Sequence, residues 1–217
     1  IEKFPDCDVF TSFFFFFFIK LLKKKKNEEY KNLPQTLADI DMLGYKHISV
    51  VSINIFPTDE HEVLKKIVDG FRIFSLANIG FTNALLTKTK ETTAFLKDLN
   101  RQVSKEDTAN LYVIHGTPRL DTIGIDSISY AASFLELISE NNFTCSLEGT
   151  CPYFEINDII KAKIEKLGLK KVQVVPLLLV SGNHYINDMF EIKDDLADKF
   201  ESFIIPSLTQ SEQFNLI

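Results

Sequence analysis

VQVVPLLLVSGNHYINDM, residues 172–189, is the stretch whose reading decides the fold. From Val172 to Val180 the residues are β-branched, leucine or proline apart from Gln173, with no apolar/polar alternation. An unbroken run of this kind marks a strand buried on both faces of a parallel sheet. The strand is expected to stop at Ser181-Gly182-Asn183, and His184 follows at once. A loop just past the carboxyl end of a buried strand is where open α/β sheets place their ligands. Asn187 is the expected cap of the next helix, and Asp188 suits its positive end.

Working outward, the same unit repeats upstream. A helix over 156–167 closes on Gly168, and the strand before it, 143–147, ends at Glu148-Gly149. A helix over 125–139 sets Ala131, Phe134, Leu135 and Ile138 on one face, and the strand 111–114 before it ends in His115-Gly116-Thr117. The polar stretch KEDTAN, 105–110, reads as a boundary between halves, giving domains over 1–104 and 105–217. In the first half, apolar spacing at 33, 37, 40 and 43 predicts a helix capped by Gly44. HISVVSINIF, 47–56, predicts a strand, and Pro57-Thr58-Asp59 a turn that caps a helix over 60–71. Residues 75–80 are ambiguous, and 86–103 reads as a polar-faced helix. Val9-Phe10-Thr11 suggests a short strand. Phe13–Leu22, followed by Lys23–Lys26, reads as a core segment with a solvated lysine-rich end; at about ten residues it is too short to span a bilayer, which takes roughly 20.

Composition bounds the function. The chain has 217 residues, 45% of them hydrophobic, enough for two modest α/β units. A net charge of −6 argues against nucleic acid, whose phosphates demand clustered Lys and Arg. Cys7, Cys145 and Cys151 form an odd set without CxxC spacing, which fits a reducing compartment and makes the cytoplasm the expected location. Buried, inert roles are expected for Cys145 and Cys151, and surface positions for His47, His61, Glu60 and Glu62. The sequence leaves homo-oligomers open.

Three successive strands of the second half thus end in His115, Glu148 and His184. Strand ends on one side of a parallel sheet share an edge, so two imidazoles and a carboxylate can converge there. That donor set suits a borderline divalent ion such as cobalt, iron, nickel or zinc. A metal-dependent hydrolase would also need a second acid or base, for which the sequence offers no candidate.

VIHGT at 113–117, SLEGTCP at 146–152 and PLLLVSGNHYINDM at 176–189 resemble the three signature segments of the anaerobic cobalt chelatases of the CbiK type. These are sirohydrochlorin cobaltochelatases of the class II chelatase superfamily. FPDCDVFTS at 4–12 and GYKHISVVSINIFPTDEHE at 44–62 are similar to two further family segments, in the same order. The resemblance implies an α/β fold of two Rossmann-like, chelatase-like domains, with parallel sheets flanked by helices and a tetrapyrrole held between them. It implies an incomplete N-terminal domain, because nothing before Ile1 corresponds to the family's first strand and helix. By position, His115, Glu148 and His184 match the family's metal-binding residues, with His115 also accepting a proton. Where the family has a further histidine and asparagine, this chain has PRLDT at 118–122, and Arg119 is the candidate for a substrate carboxylate. The implied activity is insertion of cobalt into sirohydrochlorin on the way to cobalamin. The alternatives are iron insertion towards sirohaem, and a non-catalytic metal- or tetrapyrrole-binding remnant; Fe²⁺ and Ni²⁺ stand beside Co²⁺ as substrate metals, and no organic cofactor is implied.

Overall fold

The computed structural model describes residues 7–12, 31–178, 183–206 and 208, with the side chains of 183–186 left out. The 13–26 segment and its lysine run lie outside the described residues. Residues 7–12 form no strand; Phe10 instead packs edge-on against Tyr45, ring centroids 6.0 Å apart. Backbone contacts divide the chain into two compact units, one formed by 1–52 and 60–83, the other by 53–59 and 84–217.

The first unit contains helix α1 (Leu33–Met42), strand β1 (His47–Val50), helix α2 (Asp59–Phe74), whose first residue, Asp59, counts with the second unit, and strand β2 (Asn78–Phe81). Asn32 starts α1 by accepting from the Gln35 amide at 2.9 Å, while the Gln35 side chain accepts from the Asn32 amide at 3.1 Å. This reciprocal cap satisfies two amides that the helix itself leaves unpaired. Gly44 ends the helix at φ +78°, as its position predicts. β1 and β2 pair in parallel, Ile48 opposite Ile79, and these two pack with Leu33, Leu37, Ile40 and Val68. The expected strand 47–56 therefore pairs only as far as Val50. Beyond it the chain changes partners: Asn54 and Ile55 accept backbone hydrogen bonds from Leu85 and Leu86 in the second unit. The helix begins at Asp59 itself rather than being capped by it.

In the second unit follow α3 (Thr89–Val103), β3 (Thr108–Gly116), α4 (Ile125–Ile138), β4 (Asn142–Glu148), α5 (Tyr153–Lys166), β5 (Lys171–Leu177), α6 (Asn183–Ala197) and β6 (Glu201–Ile204). The four strands are parallel in the order β4-β3-β5-β6. β3 is central, and its alternate residues feed two cores. Ala109, Leu111 and Val113 meet Ile160 and Ile164 of α5 and Met189, Ile192 and Leu196 of α6. Tyr112 and Ile114 meet Leu96, Leu99 and Val103 of α3 and Ala131 and Leu135 of α4. Of the polar stretch expected to divide the halves, residues 105–107 link α3 to β3 and residues 108–110 already belong to β3, all inside this unit, where the apolar face of α3 covers the sheet. Among the described residues no helix is long and apolar enough to cross a membrane.

Candidate functional site

The strand order fixes where a site can form. From β3 the chain crosses to one edge through α4, and from β5 to the other through α6, so connections diverge between neighbouring strands β3 and β5. In doubly wound sheets this divergence opens a crevice at the carboxyl ends of the strands. His115 is the penultimate residue of β3, and Glu148 ends β4, where it lies opposite the neighbouring Gly116 in the strand register. The His115 Nδ1 and Glu148 Oε1 atoms stand 3.6 Å apart, with side chains 42% and 46% exposed. Nδ1 also lies 3.4 Å from the Gly116 carbonyl oxygen. Both groups are partly buried yet reachable from solvent.

Two glycines permit this closeness. Gly116 has φ +81° and a Cβ there would sit 1.9 Å from the Glu148 oxygen; Gly149 has φ +82° and a Cβ would sit 1.6 Å from the Thr117 oxygen. The His115 and Glu148 loops thus rest backbone on backbone, an approach no side chain would allow. After Thr117 the loop is held by its own bonds: Thr117 and Thr122 hydroxyls meet at 3.3 Å, and the Thr122 hydroxyl donates to Asp59 at 3.4 Å.

His184 lies in the first turn of α6 by backbone, not in a loop as expected; its side chain lies outside the described residues. Because α6 begins at Asn183, Asn187 sits inside it rather than capping it, and Asp188 falls beyond the first turn. α6 covers the sheet face to which β3 contributes Ala109, Leu111 and Val113, the face on which strand alternation places His115. Among the described residues no group of three or more His, Cys, Asp or Glu forms a metal cluster. Arg119 forks onto Asp121, Nε to Oδ1 at 2.9 Å and Nη2 to Oδ2 at 2.7 Å, and both are exposed. These hydrogen bonds raise the Arg119 pKa and hold the Asp121 carboxyl below its usual range.

The chain matches the family described as cobalt chelatase (CbiK) over residues 1–205. It belongs to the cobalt chelatase (CbiK) family. It is 23% identical over 188 residues to a sirohydrochlorin cobaltochelatase of Salmonella typhimurium, covering 85% of this chain and 68% of that protein. Its fold is similar to SirB from Bacillus subtilis with Fe³⁺, at TM-score 0.59 and 14% identity, over 91% of this chain and 82% of that one. The sirohydrochlorin chelatase SirB from Bacillus subtilis subspecies spizizenii in complex with cobalt matches at TM-score 0.51 and 13% identity, over 86% and 76%. These likenesses support the α/β fold of parallel sheets flanked by helices.

Sequence reasoning misplaced three groups. His61, expected at the surface, is 5% exposed; its Nδ1 lies 2.8 Å from the Ser52 hydroxyl and its ring stacks at 5.0 Å on Phe81. The partner sits nine residues away across a strand end, so helical spacing alone gave no sign of it. Cys145 is buried as expected, but Cys151 is exposed, at φ +54° in the turn after Glu148. Glu60 and Glu62 are half-buried rather than fully solvent-facing.

Proposed function

We propose that this chain inserts cobalt(II) into sirohydrochlorin, with His115, Glu148 and His184 holding the ion and His115 also accepting a proton from the macrocycle. The observation that carries the reading is the meeting of His115 and Glu148 on adjacent strand ends beside the diverging crossovers. Family membership and the similarity to a sirohydrochlorin cobaltochelatase support it.

Insertion exchanges a hydrated divalent cation for two pyrrole N–H protons. The Glu148 carboxylate offsets part of the ion's charge, so it can shed water before reaching the macrocycle. An imidazole titrates near neutral pH and serves either as ligand or as proton acceptor, the two roles an exchange of cation for protons calls for. Imidazole and carboxylate donors also bind ferrous iron, and one similar solved structure carries iron, so iron insertion is the second reading. A macrocycle carboxylate reaching Arg119 replaces Asp121 on the guanidinium fork.

The test is to follow the visible absorption of sirohydrochlorin with Co²⁺ and, separately, Fe²⁺. Faster turnover with cobalt supports the reading, faster turnover with iron reassigns the metal, and binding without turnover identifies a carrier.

A further inference from the structure

Three residues on either side of Glu148 stand the two cysteines of the second unit, and the structure brings them together. The Ser146 amide donates to the Cys151 carbonyl at 3.0 Å, and Ser146 pairs with Pro152 as an isolated parallel bridge. The residues before that bridged pair are Cys145 and Cys151, and the hydrogen bond from the Ser146 amide to the Cys151 carbonyl lays their backbones side by side. Neighbouring strands lie about 4.8 Å apart, inside the window of roughly 4.4–6.8 Å between Cα atoms that a disulfide requires. Both thiols line one groove of about 420 Å³ along the outer edge of β4, with Ser146, Thr150, Ile156 and Ile160. Cys151 is exposed, whereas Cys145 is 3% exposed and burial pushes its thiol up.

We propose that Cys145 and Cys151 are a redox-responsive dithiol whose disulfide, formed by exchange with a low-molecular-weight disulfide, shifts Glu148 relative to His115 and so gates metal insertion. The gating half rests on the reading of Glu148 as a metal-holding residue. The exposed Cys151 thiolate attacks one sulfur of the small disulfide, forming a mixed disulfide and releasing one small thiol. Cys145 then gives up its proton as it attacks the Cys151 sulfur and expels the second thiol. The protein loses two hydrogens, the small disulfide gains them as two thiols, and no other electron acceptor is needed.

The bond would close a ring over residues 145–151 with Glu148 and Gly149 at its middle. Those two residues have no slack towards β3, since Gly149 and Gly116 hold the facing backbones in direct contact. Tightening the ring on its open side therefore moves the Glu148 carboxylate against the His115 imidazole. A misplacement of about 1 Å at a reacting centre costs on the order of 100-fold in rate.

The experiment uses the full chain carrying Cys7→Ser, which removes the exposed cysteine at the other end of the sequence. It is treated with oxidised glutathione and read by intact mass, by the Glu148 and His115 NMR resonances, and by the rate of cobalt insertion. The expected product is a monomer lighter by two hydrogens, with both resonances shifted and insertion roughly 100-fold slower, all reversed by dithiothreitol. Adding Cys151→Ser should abolish the mass change and leave the rate unmoved by the oxidant. Failure to form the intramolecular bond overturns the proposal, as does a disulfide that leaves the resonances and the rate unchanged. If the reduced chain inserts no metal, the functional reading fails by itself, while mass and resonances still decide the dithiol and its hold on Glu148.

Discussion

Gly149→Ala probes how the two halves of the site are held together. At φ +82° an alanine incurs backbone strain of about 1–2 kcal/mol. Its methyl group would also lie 1.6 Å from the Thr117 carbonyl oxygen, and both sides of the clash are backbone. The facing loops must separate by about 1.5 Å to restore van der Waals contact. Adding an overpacking cost of roughly 1–3 kcal/mol gives a total loss of about 2–5 kcal/mol. Gly168→Ala is the control: its φ is +73°, but nothing lies within 4 Å of the added methyl, so only the strain remains. Urea unfolding of both variants measures the difference, and cobalt insertion reports on the site. The Gly149 variant should lose roughly 100-fold in insertion rate while the Gly168 variant keeps its rate. Equal unfolding midpoints and equal rates would refute the argument that backbone contact between residues 117 and 149 sets the site.

Three further outcomes follow from buried polar groups. A row of amides crosses three strands, Asn110 donating to Asn142 at 2.8 Å and accepting from Gln173 at 2.5 Å; Asn110→Ala leaves the Asn142 oxygen without its donor while the Gln173 amide keeps the Val103 carbonyl, and should cost about 1–3 kcal/mol by urea unfolding. The nearly buried Lys161 pairs with Asp195 at 2.8 Å, while Tyr153 donates to the same carboxylate at 2.7 Å; Asp195→Ala leaves the ammonium unpaired and should cost about 3–5 kcal/mol, measured the same way. Burial lowers the His61 pKa, with Lys65 adding to the shift and Glu62 opposing it. Because the folded value lies below the unfolded one, stability is complete above about pH 6.5 and falls as pH drops towards the folded value. Melting of the wild type between pH 7.5 and about pH 5 should show this slope, and His61→Gln should flatten it.

The second unit was legible because its strands carry their burial in their composition. The middle of β3, residues 111–114, is an unbroken apolar run, so its existence and the His115 position after it could be read directly, and Glu148 followed by the same spacing, whereas Thr108 and Asn110 hid the strand's start because their polar side chains are buried in hydrogen bonds. Gly44 and Gly168 marked helix ends because only glycine takes those turns cheaply. β2 was not legible: NIGF is four residues long with a glycine inside it, and it becomes a strand only by pairing with β1. The beginning of α6 is hidden in the sequence because Asn187 and Asp188 look like a cap, whereas the helix already runs from Asn183. Likewise the pairing of Arg119 with Asp121 depends on how a tight loop folds back, which residue types two apart do not reveal.

The most direct test of the account is cobalt insertion into sirohydrochlorin by the wild-type chain and by His115→Ala, under identical conditions. The account predicts steady turnover by the wild type and its loss in the variant, whose urea unfolding midpoint stays close to that of the wild type because the side chain is 42% exposed. Unchanged turnover in the variant would contradict it.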